Sequence, residues 1–284
     1  MVAFKVAVVQ MRSTPDPVRN AQDMERLVSE AAERGATYVQ TPEMTGILSR
    51  DRAHFRALLQ DEANDPVVAA ARDLAKRHAI VLHLGSTAIR APGGMAANRS
   101  FVFGPDGRQL ATYDKIHMFD VDLDNGESWR ESATYVPGER AGLVDMPIGS
   151  DTVRLGLAVC YDMRFPELFR AQALAGADIL TAPAAFTRQT GEAHWHVLLR
   201  ARAIENNGFV VAAAQGGRHE DGRETFGHSI VIDPWGRILA EVKGDEPGIA
   251  VADIDTAQVA SVRSKIPNLR NRRPFAEPRV ETAT

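Results

Sequence analysis

The sequence predicts an α/β fold, and three observations carry that expectation. Short β-rich apolar runs alternate with helical patterns from one end of the 284 residues to the other. A strand–turn–strand signal occurs once in each half of that alternation. No linker, low-complexity segment or shift in composition divides the chain. One domain is therefore expected over residues 1–284, with a polar, arginine-rich tail from about residue 266 that packs on the surface or on a partner subunit.

The elements follow in order. Residues 1–10 read as a first strand, because they lack the basic region, apolar stretch and small-residue cleavage site of a leader. Asp16-Pro17 supplies an N-cap and a first-turn proline. Ala21, Met24, Leu27, Val28 and Ala31 then form one apolar face, and Gly35 closes the helix. A strand over 37–40 ends at Thr41-Pro42-Glu43. Asp65-Pro66 opens another helix with the same start signal, and 80–84 is the next strand.

The second half repeats the theme. A strand over 153–159 ends at Cys160, a helix over 166–175 stops at Gly176, and 178–181 is again a strand. Val197, Leu198, Ala201 and Ile204 give a helical stripe, followed by a continuous apolar strand over 209–214. Ser100-Phe-Val-Phe-Gly-Pro-Asp-Gly-Arg-Gln-Leu-Ala111 echoes Ser229-Ile-Val-Ile-Asp-Pro-Trp-Gly-Arg-Ile-Leu-Ala240, each a strand, a Pro-x-Gly turn and a strand. The echo predicts two pseudo-symmetric halves, each giving one sheet to a sandwich. The hairpins make those sheets mixed rather than purely parallel.

Composition excludes several classes of function. With 44% apolar and 25% charged residues and a formal net charge of −4, there is no broad basic field to draw nucleic acid or anionic lipid. No apolar run reaches the roughly 20 residues a membrane span needs. Arg263, Arg270, Arg272 and Arg273 read as a solvated or inter-chain tail. A single cysteine rules out an intramolecular disulfide framework and a multi-cysteine zinc site, and a cytoplasmic protein is expected.

That cysteine, Cys160, lies where an apolar strand gives way to a polar segment leading into a helix. This is the end of a strand at which α/β proteins place their sites. Backbone N–H groups, the following helix and Arg164 would favour its thiolate. A cysteine nucleophile needs a base and a donor for the oxyanion formed on attack at a carbonyl. Histidine is the usual base, and His117, His194, His196, His219 and His228 are all to be considered. His194 and His196 flank Trp195 and point to different faces of a helix, which counts against a shared metal site. The other option is a carboxylate with a lysine. Glu43 and Lys115 both stand at element ends, although nothing local fixes their distance from Cys160.

The segments Thr41-Pro-Glu-Met44, Tyr113-Asp-Lys-Ile-His117 and Gly156-Leu-Ala-Val-Cys-Tyr-Asp-Met-Arg-Phe-Pro-Glu167 resemble those of nitrilase-superfamily carbon–nitrogen hydrolases. So do Thr190-Gly-Glu-Ala-His-Trp-His-Val-Leu-Leu-Arg-Ala-Arg-Ala-Ile-Glu205 and Gly227-His-Ser-Ile-Val-Ile-Asp-Pro-Trp-Gly236, and the likeness spans essentially the whole chain. It is greatest to the Nit branch, which holds deaminated-glutathione amidases and ω-amidases. The resemblance implies a four-layer αββα sandwich with two mixed sheets, no cofactor, and a homodimer or higher homo-oligomer. It implies a triad of Glu43, Lys115 and Cys160, with the backbone N–H of Tyr161 as a second oxyanion donor. A further glutamate near the lysine falls on Glu131, with Glu127 as the alternative.

Arg164, Phe186, Thr187, His194 and Trp195 are candidate substrate contacts. Arg164 would hold a substrate carboxylate, or else pair with Glu167 or Asp162. Ala212-Ala-Ala-Gln-Gly-Gly-Arg-His219 is closer to deaminated-glutathione amidases than to ω-amidases, and so are residues 199–205 and 231–235. The implied reaction is cleavage of a 2-oxoglutaramyl–Cys–Gly amide to 2-oxoglutarate and Cys-Gly. The segment 44–51, expected to border the pocket, departs from that branch. Competing readings are an ω-amidase on 2-oxoglutaramate or succinamate, an N-carbamoyl amine amidohydrolase, a nitrilase, and a non-catalytic binding protein.

Overall fold

A computed structural model describes residues 1–122, 126 and 128–280. The first half of the chain runs β1 (Ala3–Gln10), α1 (Pro17–Glu33), β2 (Tyr38–Gln40), α2 (Arg52–Leu58), α3 (Pro66–His78), β3 (Val81–Arg90), β4 (Ala96–Phe103) and β5 (Gln109–Asp114). Three short strands follow: β6 (Asp120–Asp122), β7 (Ser128–Arg130) and β8 (Tyr135–Val136). The second half runs β9 (Gly142–Ile148), β10 (Asp151–Leu157), α4 (Pro166–Leu174), β11 (Ile179–Thr181), α5 (Arg188–Asn206) and β12 (Phe209–Ala212). It continues through β13 (Gly216–Arg218), β14 (Glu224–Phe226), β15 (Ile230–Ile232) and β16 (Ile238–Glu241), and closes with β17 (Gly248–Asp255) and α6 (Ala257–Lys265).

Start signals act as expected from their chemistry. The Asp16 carboxylate accepts from the N–H groups of Val18 and Arg19, and Asp65 does the same for Val67 and Val68. Asp51 caps α2 in the same way, a helix that the sequence reading did not anticipate. Gly35, with φ 85, ends α1.

One sheet has the order β17-β1-β2-β3-β4-β5, with β8 added beside β4; the other has the order β16-β15-β12-β11-β10-β9. In each, two successive pairs are parallel, β1–β2–β3 and β10–β11–β12, and the flanking pairs are antiparallel. The β4–β5 and β15–β16 hairpins occupy equivalent ends, so the repeated Pro-x-Gly segment does mark a pseudo-symmetric pair of sheets.

The layers follow from strand alternation. Val6 and Val8 of β1 join Leu155, Ile179 and Val210 in the core between the sheets, whereas Ala7 and Val9 pack with Met24, Leu27 and Leu74 of α1 and α3. Phe169 of α4 and Trp195 and Leu199 of α5 cover the second sheet from outside. The result is the expected αββα stack. The apolar stripe of α5 is a correction, because Trp195, Leu199 and Ala203 face the core while Val197 and Ile204 are 69% and 49% exposed. Between α6 and residue 280 the chain has no regular structure, and residues 270–280 are exposed, Arg270, Arg272 and Arg273 among them. Arg263 instead donates to the carbonyl of Ala177. No helix among the described residues is long and apolar enough to cross a membrane.

Candidate active site

Four segments converge at the carboxyl ends of β2, β5, β10 and β11. Glu43 follows β2, Lys115 follows β5 directly, Cys160 opens a 3₁₀ turn (Cys160–Arg164) after β10, and Ala185 follows β11. Lys115 is 2% exposed, and its Nζ donates to Glu43 Oε1 at 2.9 Å and to Glu131 Oε1 and Oε2 at 2.9 and 2.8 Å. Neutral donors fix the two carboxylates. Asn98 Nδ2 reaches Glu43 Oε1 at 3.0 Å and Glu131 Oε1 at 3.3 Å, the Ala185 N–H reaches Glu43 Oε2 at 2.9 Å, and the Phe119 N–H reaches Glu131 Oε2 at 2.7 Å. Sequence reasoning missed Asn98, which is followed by Arg99 and Ser100 in the middle of β4 and carries no local signal that sets it apart.

The buried Cys160 thiol lies beside Glu43, Lys115 and the Ala185 N–H. Burial pushes its pKa well above the usual thiol value and the Glu43 charge adds to that, against the opposing Lys115 ammonium and Ala185 N–H. The resting group is therefore a thiol. This corrects the expectation of a thiolate favoured by backbone N–H groups, the following helix and Arg164, and it makes a neighbouring base necessary. Burial alone would lower the Lys115 pKa, but the charges of Glu131 and Glu43 outweigh it and hold the ammonium well above its usual value. Cys160 and Met44 both adopt left-handed backbone, with φ 51 and 55, as residues held in place by their surroundings at functional sites often do.

Asp162, fully buried, fixes the turn that carries the cysteine. Its carboxylate accepts from the Tyr113 hydroxyl at 2.8 Å, the Val159 N–H at 2.8 Å, and the N–H and Nδ1 of His117 at 3.0 and 2.7 Å. Asp162→Ala should cost about 2–4 kcal/mol of stability, because it leaves several buried donors unpaired. Urea unfolding would measure it, and a loss below about 1 kcal/mol would contradict this role.

A cavity of about 570 Å³ opens over the site, lined by Glu43, Lys115, Cys160, Arg164, Phe186 and Thr187 among others. The 44–50 segment borders it as expected, through Met44, Ile47, Leu48, Ser49 and Arg50. Arg164 pairs with neither Glu167 nor Asp162; its guanidinium lies 3.3–3.4 Å from His194 Nδ1 and near the rings of Tyr161 and Phe186. His194 thus braces Arg164 rather than lining the cavity. Trp195 is core: it is fully buried against Phe186, and its indole donates to the His228 carbonyl at 2.8 Å. Glu127 lies outside the described residues.

No histidine lines the cavity among the described residues. His117 is engaged by Asp162 and stacks on Phe165, and His219 sits between the Ser13 carbonyl and the Thr225 hydroxyl. His196 Nε2 and His228 Nδ1 each lie 2.8 Å from Glu241 Oε1, outside the cavity. These three are the described group whose donor types and spacing could hold a metal ion. Their ligand atoms are already committed to one another as hydrogen bonds. His194 and His196 do face different partners.

A carboxylate-flanked lysine beside a buried thiol, on a doubled α/β sandwich, defines the class. The chain belongs to the carbon–nitrogen hydrolase family, whose model matches residues 5–264. It is a hydrolase of carbon–nitrogen bonds in amides other than peptide bonds. It is 39% identical to the deaminated glutathione amidase of Synechocystis over 276 residues, 96% of this chain and 99% of that protein. It is 40% identical to the deaminated glutathione amidase of Homo sapiens over 273 residues, 95% of this chain and 82% of that one. Among solved structures, Saccharomyces cerevisiae Nit3, a member of branch 10 of the nitrilase superfamily, superposes with a TM-score of 0.82 at 30% identity, covering 93% of this chain and 94% of its own.

Proposed function

We infer that the chain hydrolyses deaminated glutathione through a thioester on Cys160. The observation that carries the mechanism is one buried carboxylate, Glu43, that accepts from the Lys115 ammonium at 2.9 Å and stands beside the buried Cys160 thiol, whose pKa its charge raises. Glu43 takes the thiol proton as Sγ attacks the amide carbonyl carbon. Lys115 Nζ and the Tyr161 backbone N–H hold the resulting oxyanion. The tetrahedral intermediate collapses with cleavage of the C–N bond, and protonated Glu43 gives its proton to the departing amine. Glu43 then takes a proton from water, which attacks the thioester. Collapse releases the acid, and the sulfur is protonated again. Glu131 never meets the substrate in this scheme. It shares the ammonium with Glu43 and so keeps Lys115 charged.

Identities of 39–40% to deaminated glutathione amidases, over nearly the whole chain, support the substrate. A cavity of about 570 Å³ is of the size that takes a small ligand of this kind. Arg164 and the rings of Phe186 and Tyr161 stand at its side as contacts for the dipeptide portion. The expected products are 2-oxoglutarate and Cys-Gly in equal amounts without ammonia, read by mass spectrometry. Ammonia released from 2-oxoglutaramate at higher kcat/KM would point to an ω-amidase instead. The single reduced cysteine suits a cytoplasmic enzyme. The exposed Val197 and Ile204 of α5 and Trp235 of the β15–β16 turn suit a homo-oligomer in which the tail beyond 266 lies against a partner.

A further inference from the structure

Arg223, just before β14, is a cation in the cavity that the mechanism leaves unused. Its side chain is 17% exposed, and its guanidinium carbon lies 4.7 Å from the centre of the Trp129 ring. The ion-pair partner it has among the described residues is Asp221, whose Oδ2 lies 3.5 Å from an Nη. Neither that Oδ2 nor Arg223 Nε, both buried, has a hydrogen-bond partner. Three other cations of the cavity are better supplied: Lys115 holds two glutamates, Arg130 bonds both oxygens of Asp122, and Arg164 rests on His194.

A desolvated guanidinium with an orphaned Nε–H is costly to keep, and burial accordingly lowers its pKa. The side chain reaches the cavity, and paired N–H groups along one edge of a guanidinium form a fork that can hold a carboxylate bidentately. Trp129 covers one face of the guanidinium. The leaving amine must depart through the open mouth while the acyl group stays as a thioester, so the acyl group belongs in the enclosed part. Arg223 is in that part, its charge felt by Tyr135 and Glu43.

The geometry points to Arg223 as the seat of a carboxylate on the acyl portion of the substrate, at the end remote from the carbonyl that Cys160 attacks. The subsite rests on the amidase reading and deepens it. It selects dicarboxylic half-amides over neutral amides of the same length.

The test uses the sole cysteine as reporter. Neutral iodoacetamide alkylates Cys160, and glutarate, a five-carbon dicarboxylate, is the protecting probe. In the wild type glutarate should slow alkylation saturably. In Arg223→Gln the protection constant should weaken by roughly 30- to 100-fold, as expected for losing a charge-assisted pair in a desolvated pocket, with the unprotected rate within about twofold of wild type. Arg223→Lys keeps the charge without the fork and should fall between, which covers a folding defect in the first variant. No protection in the wild type, undiminished protection in Arg223→Gln, or an altered unprotected rate in both variants overturns the proposal. If protection depends on Arg223 but deaminated glutathione is not cleaved, the substrate assignment fails and this subsite stands.

Discussion

Cys160→Ala is expected to lose amide turnover by a factor on the order of 10⁴ to 10⁶, with stability changed by no more than about 1 kcal/mol. Both parts have a structural cause. In the proposed scheme the sulfur forms the covalent bond, and no other cysteine exists to replace it. Alanine also has a Cβ, so the left-handed backbone at this position is no more strained than before. The Cys160 N–H keeps its bond to the Pro183 carbonyl at 2.9 Å, and Asp162 still holds the turn. Steady-state kinetics and urea unfolding on the same preparation check the pair. Substantial turnover would refute the nucleophile, and a collapse of stability would show that the thiol is also structural.

Lys115→Met should behave differently, losing activity and stability together. Glu43 and Glu131 both point at the ammonium, with side chains 6% and 12% exposed. Removing the cation leaves two carboxylates facing each other in a desolvated space. Breaking such a buried arrangement costs about 3–5 kcal/mol. In a chain of this length that corresponds to a melting temperature lower by on the order of 10 °C. Changing Glu43 and Glu131 to Gln in the same chain removes the uncompensated charge and should restore most of the stability without restoring turnover. If Lys115→Met alone melts like the wild type, the lysine is not what holds the two carboxylates. If the triple variant melts no higher than the single one, charge is not the cause.

Much of this was legible in the sequence, for reasons that differ by residue. Asp16-Pro17 and Asp65-Pro66 announce helices because capping and a preset φ act within a few residues. The hairpin echo reports two sheets because the turn chemistry repeats with the strands. Glu43, Lys115 and Cys160 stand out at strand ends, but their meeting depends on two sheets packing face to face. Only the resemblance joined them in advance. Asn98, Arg223 and the anchoring role of Asp162 escaped notice because each depends on a partner far along the chain, such as Asn98 bridging Glu43 and Glu131. The stripe of Val197 and Ile204 misled about the buried face of α5. Apolar periodicity finds a helix but cannot tell the core from an outward apolar face. Here polar Arg202 is buried instead, its Nε bonded to the Met163 carbonyl at 2.9 Å.

The thiol itself changed most in meaning. Position alone suggested a thiolate ready to react, whereas burial beside Glu43 keeps the proton on sulfur, and the proposed scheme has that carboxylate remove it. Acid-quenching the enzyme during amide turnover and weighing the intact chain tests the resulting covalent scheme most directly. A chain heavier by the acyl group is predicted, with the gain reversed by hydroxylamine and absent in Cys160→Ala. Full turnover with the chain unmodified at every quench time, or an adduct that persists in Cys160→Ala, would contradict it.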